Sequence, residues 1–394
     1  MKTLYQDQPD PEDYEMLPTL PEGPIDFADS RSPTLSIVIP SYGQHQMTAD
    51  CLRSIFAHPP MVPFEVMVVD DAYEEPFDPE ALGLAGVKVL RHERNQGFLR
   101  ACNSAVTNAL GCRVLLLNND TQVLPGAIDA LWQTFDRFSE VGAVGAKLLY
   151  PNGVLQEAGG IIWRDGSGWN WGRDEDASTP RFDYVREADY CSAAALMVDK
   201  DLWGQLGGFD ERFAPCYYED TDFCFSVREM GKRVLYQPAA QVIHFEGASH
   251  GTDTSSGLKA YQLSNQSAFV AKWGHQLAKH AANAVMPERE CDRRAKARIL
   301  WVEACVLTPD QDSGSPPVRE LIECVLVFVL IEVGVKDDHA FGMIDPCLTV
   351  LADAFNFILI KLVLIIYHCF RHEYCTGVIN FDLLSNRIHI LLAS

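Results

Sequence analysis

Four places in the sequence set carboxylates, amides or an imidazole where chemistry on a charged ligand can be done. They are Asp70-Asp71, Asn118-Asn119-Asp120, Glu219-Asp220 with Asp222, and His244. Asn118–Asp120 follow the unbroken apolar run Val114–Leu117, the pattern of a strand covered on both faces. Asp70-Asp71 close the run Phe64–Val69 in the same way. Each cluster also has an ordinary structural reading. Asn118–Asp120 read as an Asx turn capping a helix that begins near Pro125. Asp70-Asp71 read as a turn, Glu219-Asp220 as first-turn acids favoured by the helix dipole, and His244 as a hydrogen-bonded core residue. Together they describe one site, because the β→α rims of a parallel sheet converge on the edge where ligands bind.

The chemistry that suits such a set is transfer of a group from a nucleotide diphosphate. The departing diphosphate gains negative charge, which Mg²⁺ or Mn²⁺ held by oxygen ligands, with a neutral imidazole in the Mn²⁺ case, neutralises. Asp120 and His244 are the natural ligands, and the imidazole leans toward Mn²⁺. The acceptor hydroxyl must lose a proton as it attacks, which calls for a positioned carboxylate. Asp220 is the choice, with Glu219 and Asp222 as nearby alternatives. On a helix Asp220 and Asp222 point in different directions, so only one can face the acceptor.

The elements that must position these groups alternate. Leu35–Pro40 is a strand, followed by a helix with Met47, Cys51, Leu52, Ile55 and Phe56 at helical spacing, ended by His58-Pro59-Pro60. Phe64–Val69 and Val87–Leu90 are strands. Asn95–Arg100 opens a helix with Phe98, Ala101, Ala105 and Val106 on one face, and Val114–Leu117 is the fourth strand. This alternation predicts βαβ units and a mainly parallel sheet with helices on both faces. Further on, Val141–Leu149 reads as a strand, Gly159–Trp171 as a Gly/Trp-rich loop, and Cys191–Val198 as a small apolar run. A helix from about Tyr218 stops at Gly231, Arg233–Tyr236 and Gln241–His244 are short strands, and Leu258–Ala281 is a last helix.

At 394 residues the chain has room for more than one domain. A net charge of -22 argues against nucleic acid or an anionic membrane as a broad partner, so any phosphate must be held by local Arg, backbone N–H groups or a metal. The twelve cysteines form no C-x-x-C pair, and Cys51, Cys102 and Cys324 lie in apolar runs; they read as small core residues in a reducing compartment. Met1–Asp29, rich in Asp, Glu and Pro, has no apolar stretch of signal-peptide length and reads as a disordered leader on a cytoplasmic protein. Phe355–Phe370 is apolar but is interrupted by Lys361. It is shorter than the roughly 20 residues of a spanning helix, which favours a buried helix or a tail outside the native fold over membrane insertion.

Taken in order, Leu35–Gly43, Val68–Asp71, Asn95-x-Gly97-Phe98, Leu115–Thr121, Gly207–Asp210, Tyr218–Phe223 and Val242–His244 with Gly247 and Ser249 resemble a family 2 inverting glycosyltransferase of GT-A fold. The rhamnosyltransferase-like branch is similar in particular, since its metal motif often reads Asn-Asn-Asp-Thr. The resemblance implies that Pro40, Ser41 and Tyr42 lie along the nucleotide, and that Asp70 or Asp71 binds base or ribose. It places Asn95, Gly97, Arg100 and Asn119 on the nucleotide or diphosphate. It makes Asp120 the metal ligand, Asp220 the base, His244 a member of the metal or diphosphate site, and Gly208, Phe209 and Asp210 the border of donor sugar and acceptor, with Asp222 nearby. Asn118 stands where the usual Asp-x-Asp has its first carboxylate, so the metal leans on Asp120.

The implied reaction moves a sugar from a nucleotide-diphosphate donor to a hydroxyl of a glycan or lipid-linked acceptor, in surface polysaccharide or glycan synthesis, at a cytoplasmic site compatible with peripheral membrane association. The expected organisation is an acidic leader (1–33), a GT-A domain (34–285), a linker opening a truncated second glycosyltransferase domain (286–315) and an apolar tail (316–394). Two rivals stand: an inactive nucleotide-binding module, opposed by the intact Glu219-Asp220 pair, and a nucleotidyltransferase, whose Gly-rich basic phosphate loop Pro40–Gln44 does not supply.

Overall fold

In the computed structural model the described residues are 17–27, 32–246, 260–295, 379–382 and 387–390. Two units divide the chain, Met1–Arg294 and Ala295–Ser394. The described part of the second is one antiparallel pair, Ile379–Asp382 with Arg387–Ile390. The expectations for Gly247, Ser249, the opening of a second domain at Arg298–Ser315, Cys324 and the apolar run Phe355–Phe370 fall outside the described residues.

In the first unit, β1 (Ile25–Asp26) pairs with β4 (Leu84–Ala85) in a small parallel sheet. The main sheet begins with β2 (Leu35–Ser41), β3 (Phe64–Asp70), β5 (Lys88–Arg91) and β6 (Arg113–Leu117). These pair in parallel in the order β6-β2-β3-β5. Continuous apolar runs form them because both faces are covered. Ile37, Ile39, Leu115 and Leu117 point into one core with α1 (His45–Ala57) and α3 (Ala127–Arg137). Val38, Val114 and Leu116 point into the other with α2 (Phe98–Asn108). Cys51 and Cys102 are fully buried in these two cores. The side chains alternate with the two-residue period of a strand.

The second half of the sheet is mixed. β7 (Thr121–Val123), β8 (Val141–Leu149), β9 (Leu155–Glu157), the hairpin of β10 (Gly160–Ile162) with β11 (Gly168–Asn170), and β12 (Arg186–Glu187) precede β13 (Ala195–Asp199). β13 runs antiparallel to both β6 and β8. β14 (Arg233–His244) returns parallel to β8 and carries β7 antiparallel on its last residues. α4 (Lys200–Leu206) is capped by Asp199, whose carboxylate accepts from Leu202 N–H, and ends on Gly207 at φ 80°. α5 (Glu219–Glu229) and α6 (Ala260–Leu277) bury Phe223, Val227, Phe269 and Trp273 in the same core as α2. Among the described residues no helix is long and apolar enough to cross a membrane.

Three expectations change. Gly159–Trp171 forms a hairpin rather than a loop, because Ile161, Ile162 and Trp163 are buried and the turn closes through Gly166 at φ 78°. Arg233–Tyr236 and Gln241–His244 are one strand, whose register against β8 shifts between Gln237 and Gln241. The leader is ordered in part: Ile25 and Phe27 are buried, and Arg53 donates to the carbonyls of Pro21 and Gly23. Two apolar side chains in an acidic stretch are enough to dock it.

Gly145 on β8 passes so close to Cys191 that a Cβ there would lie 2.1 Å from the Cys191 Cβ. Gly145→Ala is expected to lower stability by about 2 kcal/mol through overpacking, read as a fall in urea midpoint at unchanged slope.

Candidate active site

Six strands, β2, β3, β5, β6, β8 and β14, share one direction and end at Ser41, Asp70, Arg91, Leu117, Leu149 and His244 on one edge of the sheet. Because β13 runs the other way, its first residues lie on that same edge, and Asn118 N–H donates to Ala194 O at 3.0 Å. The residues after β6, before β13 and at the end of β14 are thereby neighbours.

Asp120 and His244 are joined by strand pairing. β7 places Thr121 opposite His244, and Phe245 N–H donates to Asp120 O at 2.9 Å. His244 Nε2 lies 3.3 Å from Asp120 Oδ1 and 3.4 Å from Asn118 Nδ2. Its Nδ1 faces Gln156 Oε1 at 2.8 Å, which fixes Nδ1 as the protonated nitrogen and turns Nε2 toward Asp120. Burial works against charging the imidazole, but the Asp120 carboxylate outweighs it and the net effect raises the His244 pKa.

Asn118 Oδ1 is buried without a hydrogen-bond partner. Asn118 Nδ2, not this oxygen, faces His244, so the oxygen and imidazole that the structure brings together are the Asp120 carboxylate and Nε2, a pair of the kind that suits Mg²⁺ or Mn²⁺. Among the described residues no group of three His, Cys, Asp or Glu could hold a metal. An ion here would therefore need phosphate and water oxygens to complete its shell, as Mg²⁺ sites on diphosphates usually do.

Asp220 opens α5 and hangs from the turn before β13. Its Oδ2 accepts from Ala193 N–H at 3.2 Å, and its Oδ1 from Thr221 N–H at 2.6 Å and Thr221 Oγ1 at 3.2 Å. The adjacent amide, Ser192 N–H, donates to Glu157 Oε1 at 2.9 Å. Burial raises the Asp220 carboxyl above its ordinary range despite these bonds. Glu219 is buried with Oε2 unpartnered, and burial followed by the Asp220 charge pushes it well up.

The residues expected along a nucleotide line the other part of the edge. Pro40 and Ser41 end β2, and Ser41 Oγ is 2.9 Å from Thr48 Oγ1, which accepts from Asn119 Nδ2 at 3.2 Å. Tyr42 is half exposed, edge to face with Tyr73 at 5.2 Å. Asp70 and Asp71, expected on base or ribose, have their oxygens engaged by the protein. Asp70 accepts from Phe77 N–H, Tyr73 N–H and Arg91, and Asp71 from Gln96 N–H and Gly97 N–H with His92 at 2.7 Å. They shape the loops around the edge. Gly97, at φ 84°, lies so close to Pro215 that a Cβ would meet it at 2.7 Å, and Asn95 Oδ1 accepts its N–H. Arg100 is paired on the surface with Glu211 at 2.7 Å.

One group of expected residues gathers elsewhere. Gly208, Phe209, Asp210 and Asp222 line a cavity of about 410 Å³ with Asn103 and Lys272, which contains none of Asp120, Asp220 and His244. Phe209 is packed against Trp203 and Phe223. Asp222 is buried and takes Lys272 Nζ at 2.8 Å and Trp273 Nε1 at 2.7 Å, and Lys272 also holds Asp210 at 2.8 Å. The helical turn separates it from Asp220, and its partners make it a tie between α5 and α6 on the wall of this cavity.

Gln156 and Glu157 were not expected. In sequence they are two polar residues in a short unassigned stretch. Only their burial at 1% each, on a strand three residues long, distinguishes them.

The mainly parallel sheet with one reversed strand in its middle is the architecture of a GT-A fold. Residues 36–203 match the family model "Glycosyl transferase family 2". A N-acetylglucosaminyl-diphospho-decaprenol L-rhamnosyltransferase of Mycobacterium tuberculosis is 32% identical over 162 residues, 38% of this chain and 52% of the relative. The O-antigen biosynthesis protein RfbC of Myxococcus xanthus is 30% identical over 237 residues, 56% of this chain and 18% of the relative. The chain thus spans about half or less of these relatives. A crystal structure of GalNAc-T7 with UDP, GalNAc and Mn²⁺ superposes with a TM-score of 0.50 at 15% identity, covering 62% of this chain and 50% of that one.

Burial pushes the Glu157 carboxyl up to about 7 from 4.5, so it binds its proton more tightly folded than unfolded. Its contribution to stability is complete below about pH 4.5 and is lost as pH rises through about 7. Glu157→Gln cannot titrate, and relative to the parent it should gain about 2 kcal/mol between about pH 5 and about pH 8. Urea midpoints at the two pH values measure this.

Proposed function

We propose that this domain transfers a sugar from a nucleotide-diphosphate donor to an acceptor hydroxyl with inversion. The observation that carries the reading is the convergence at one sheet edge of Asp120 and His244, 3.3 Å apart, with Asp220 held by the turn that adjoins Asn118. Asp220 removes the acceptor proton. Its two oxygens are oriented by Ala193 N–H and by Thr221, and its raised pKa makes it a stronger base than an exposed Asp. Attack on the anomeric carbon from the face opposite the nucleotide inverts the configuration.

Asp120 and His244 would hold Mg²⁺ or Mn²⁺, which supplies charge neutralisation to the departing diphosphate. Gln156 keeps His244 in the tautomer that presents Nε2. The nucleotide lies along Pro40–Tyr42, Asn95, Gly97 and Asn119, with Asp70 and Asp71 acting by shaping its loops. The M. tuberculosis relative, named for L-rhamnosyl transfer to a diphospho-decaprenol glycolipid, and the M. xanthus O-antigen protein support a lipid-linked or glycan acceptor in surface polysaccharide synthesis. Work at the cytoplasmic face of a membrane, by peripheral association, follows from such an acceptor.

A screen of UDP-, dTDP- and GDP-sugars for hydrolysis and transfer, with and without Mn²⁺, tests the reading. Asp220→Asn is expected to reduce transfer by about a thousandfold or more while leaving nucleotide affinity within a few-fold. Transfer at the parent rate would remove Asp220 as the base. Gln156→Ala should weaken Mn²⁺ binding, measured by calorimetry in the presence of UDP, by roughly tenfold.

A further inference from the structure

We infer that Glu157 is a positioning residue for the base: it anchors the Ser192–Ala193 turn from which Asp220 is suspended. This rests on the reading of Asp220 as the base. Two successive amides of the turn are taken by two carboxylates, Ser192 N–H by Glu157 Oε1 at 2.9 Å and Ala193 N–H by Asp220 Oδ2 at 3.2 Å. The turn precedes β13, which begins at Ala195. Its other bonds are local or lead to the neighbouring rim: Ala194 N–H to Ser192 Oγ, Ala195 N–H to Ser192 O, and Asn118 N–H to Ala194 O. Glu157 ties it to β9, which is fixed in the sheet by pairing with Leu148 and Leu149 of β8.

The cost of the arrangement supports a purpose. Glu157 is 1% exposed and its Oε2 has no hydrogen-bond partner, so half of the carboxyl group is taken out of water without compensation. The one bond the side chain makes is to the turn. Loosening that bond lets Ala193 N–H move and takes Asp220 out of line with the acceptor hydroxyl, while Asp120, His244 and the nucleotide loops keep their own supports.

The test compares Gln, Asp and Ala at position 157. Gln keeps an oxygen at the same reach for Ser192 N–H without a charge. Asp keeps the charge but is one methylene short. With the nucleotide sugar on which the parent is most active in the UDP, dTDP and GDP screen, Glu157→Gln should retain kcat within about threefold. Glu157→Asp and Glu157→Ala should lose roughly tenfold to a hundredfold in kcat, with donor KM within about twofold.

Hydrogen exchange, which needs no donor, should quicken in the peptide carrying Ser192 and Ala193 for Asp and Ala and stay at the parent rate for Gln. A parent-like Asp variant beside an impaired Gln variant would show that charge, not the bond to the turn, is what matters, and would overturn the inference. Parent-like kcat in Glu157→Ala would do the same. If Glu157→Ala does not fold, the Gln and Asp pair decides. Asp220→Asn run alongside separates the two levels: its failure to impair transfer removes the base assignment, whereas an inactive Asp220→Asn with parent-like Glu157→Asp removes only the role of Glu157.

Discussion

The reversal of one strand governs the site. β13 runs against both of its neighbours, β6 and β8, so its first residues come to the edge where six parallel strands end. Parallel strands deliver only their carboxyl ends to that edge. An antiparallel strand inserted among them delivers its amino end, and with it backbone N–H groups. Ser192 and Ala193 bring two such donors to a rim otherwise furnished with carboxylates and an imidazole, and the hydrogen bond from Asn118 N–H to Ala194 O locks the two kinds of rim together.

That arrangement crowds carboxylates. Glu157 and Glu219 are buried and Asp220 is part-buried, and desolvation is the largest influence on each, raising all three. Carboxylates so far removed from water cannot all be charged without partners. The two with an unpartnered oxygen, Glu157 and Glu219, are those least able to ionise, whereas Asp220, with backbone and hydroxyl donors on both oxygens, is the best supported as an anion. The hydrogen bond from Asn118 N–H to Ala194 O links the rim of this acid group to that of the Asp120–His244 pair. Division of labour between them follows from their partners: amides and hydroxyls around one, a fixed imidazole tautomer beside the other.

The remaining acids of the site motifs do structural service. Asp70 and Asp71 gather loop amides and basic side chains, and Asp222 with Asp210 clamps Lys272 so that α6 closes over α5. Loops carrying binding residues need such internal ties, since their backbone groups lack the ladder partners of a strand. The same residue type thus appears twice in Glu219–Asp222 with opposite duties, and the turn of the helix between them decides which is which.

Much of this was legible in the residues themselves. Val114–Leu117 had to be a doubly covered strand because four apolar side chains in a row leave no wet face, and Asp120 had to follow at its carboxyl end. The spacing of Cys51, Leu52 and Ile55 made α1, and His58-Pro59-Pro60 ended it. Local pattern determines elements because strand and helix periods depend on near neighbours. The meeting of Asp120 with His244, the support of Asp220 by Ala193 N–H, the burial of Gln156 and Glu157, and the diversion of Asp222 to Lys272 are contacts between segments far apart in the chain. They depend on strand direction, register and desolvation, quantities that no single stretch encodes and that only the closed sheet brings into being.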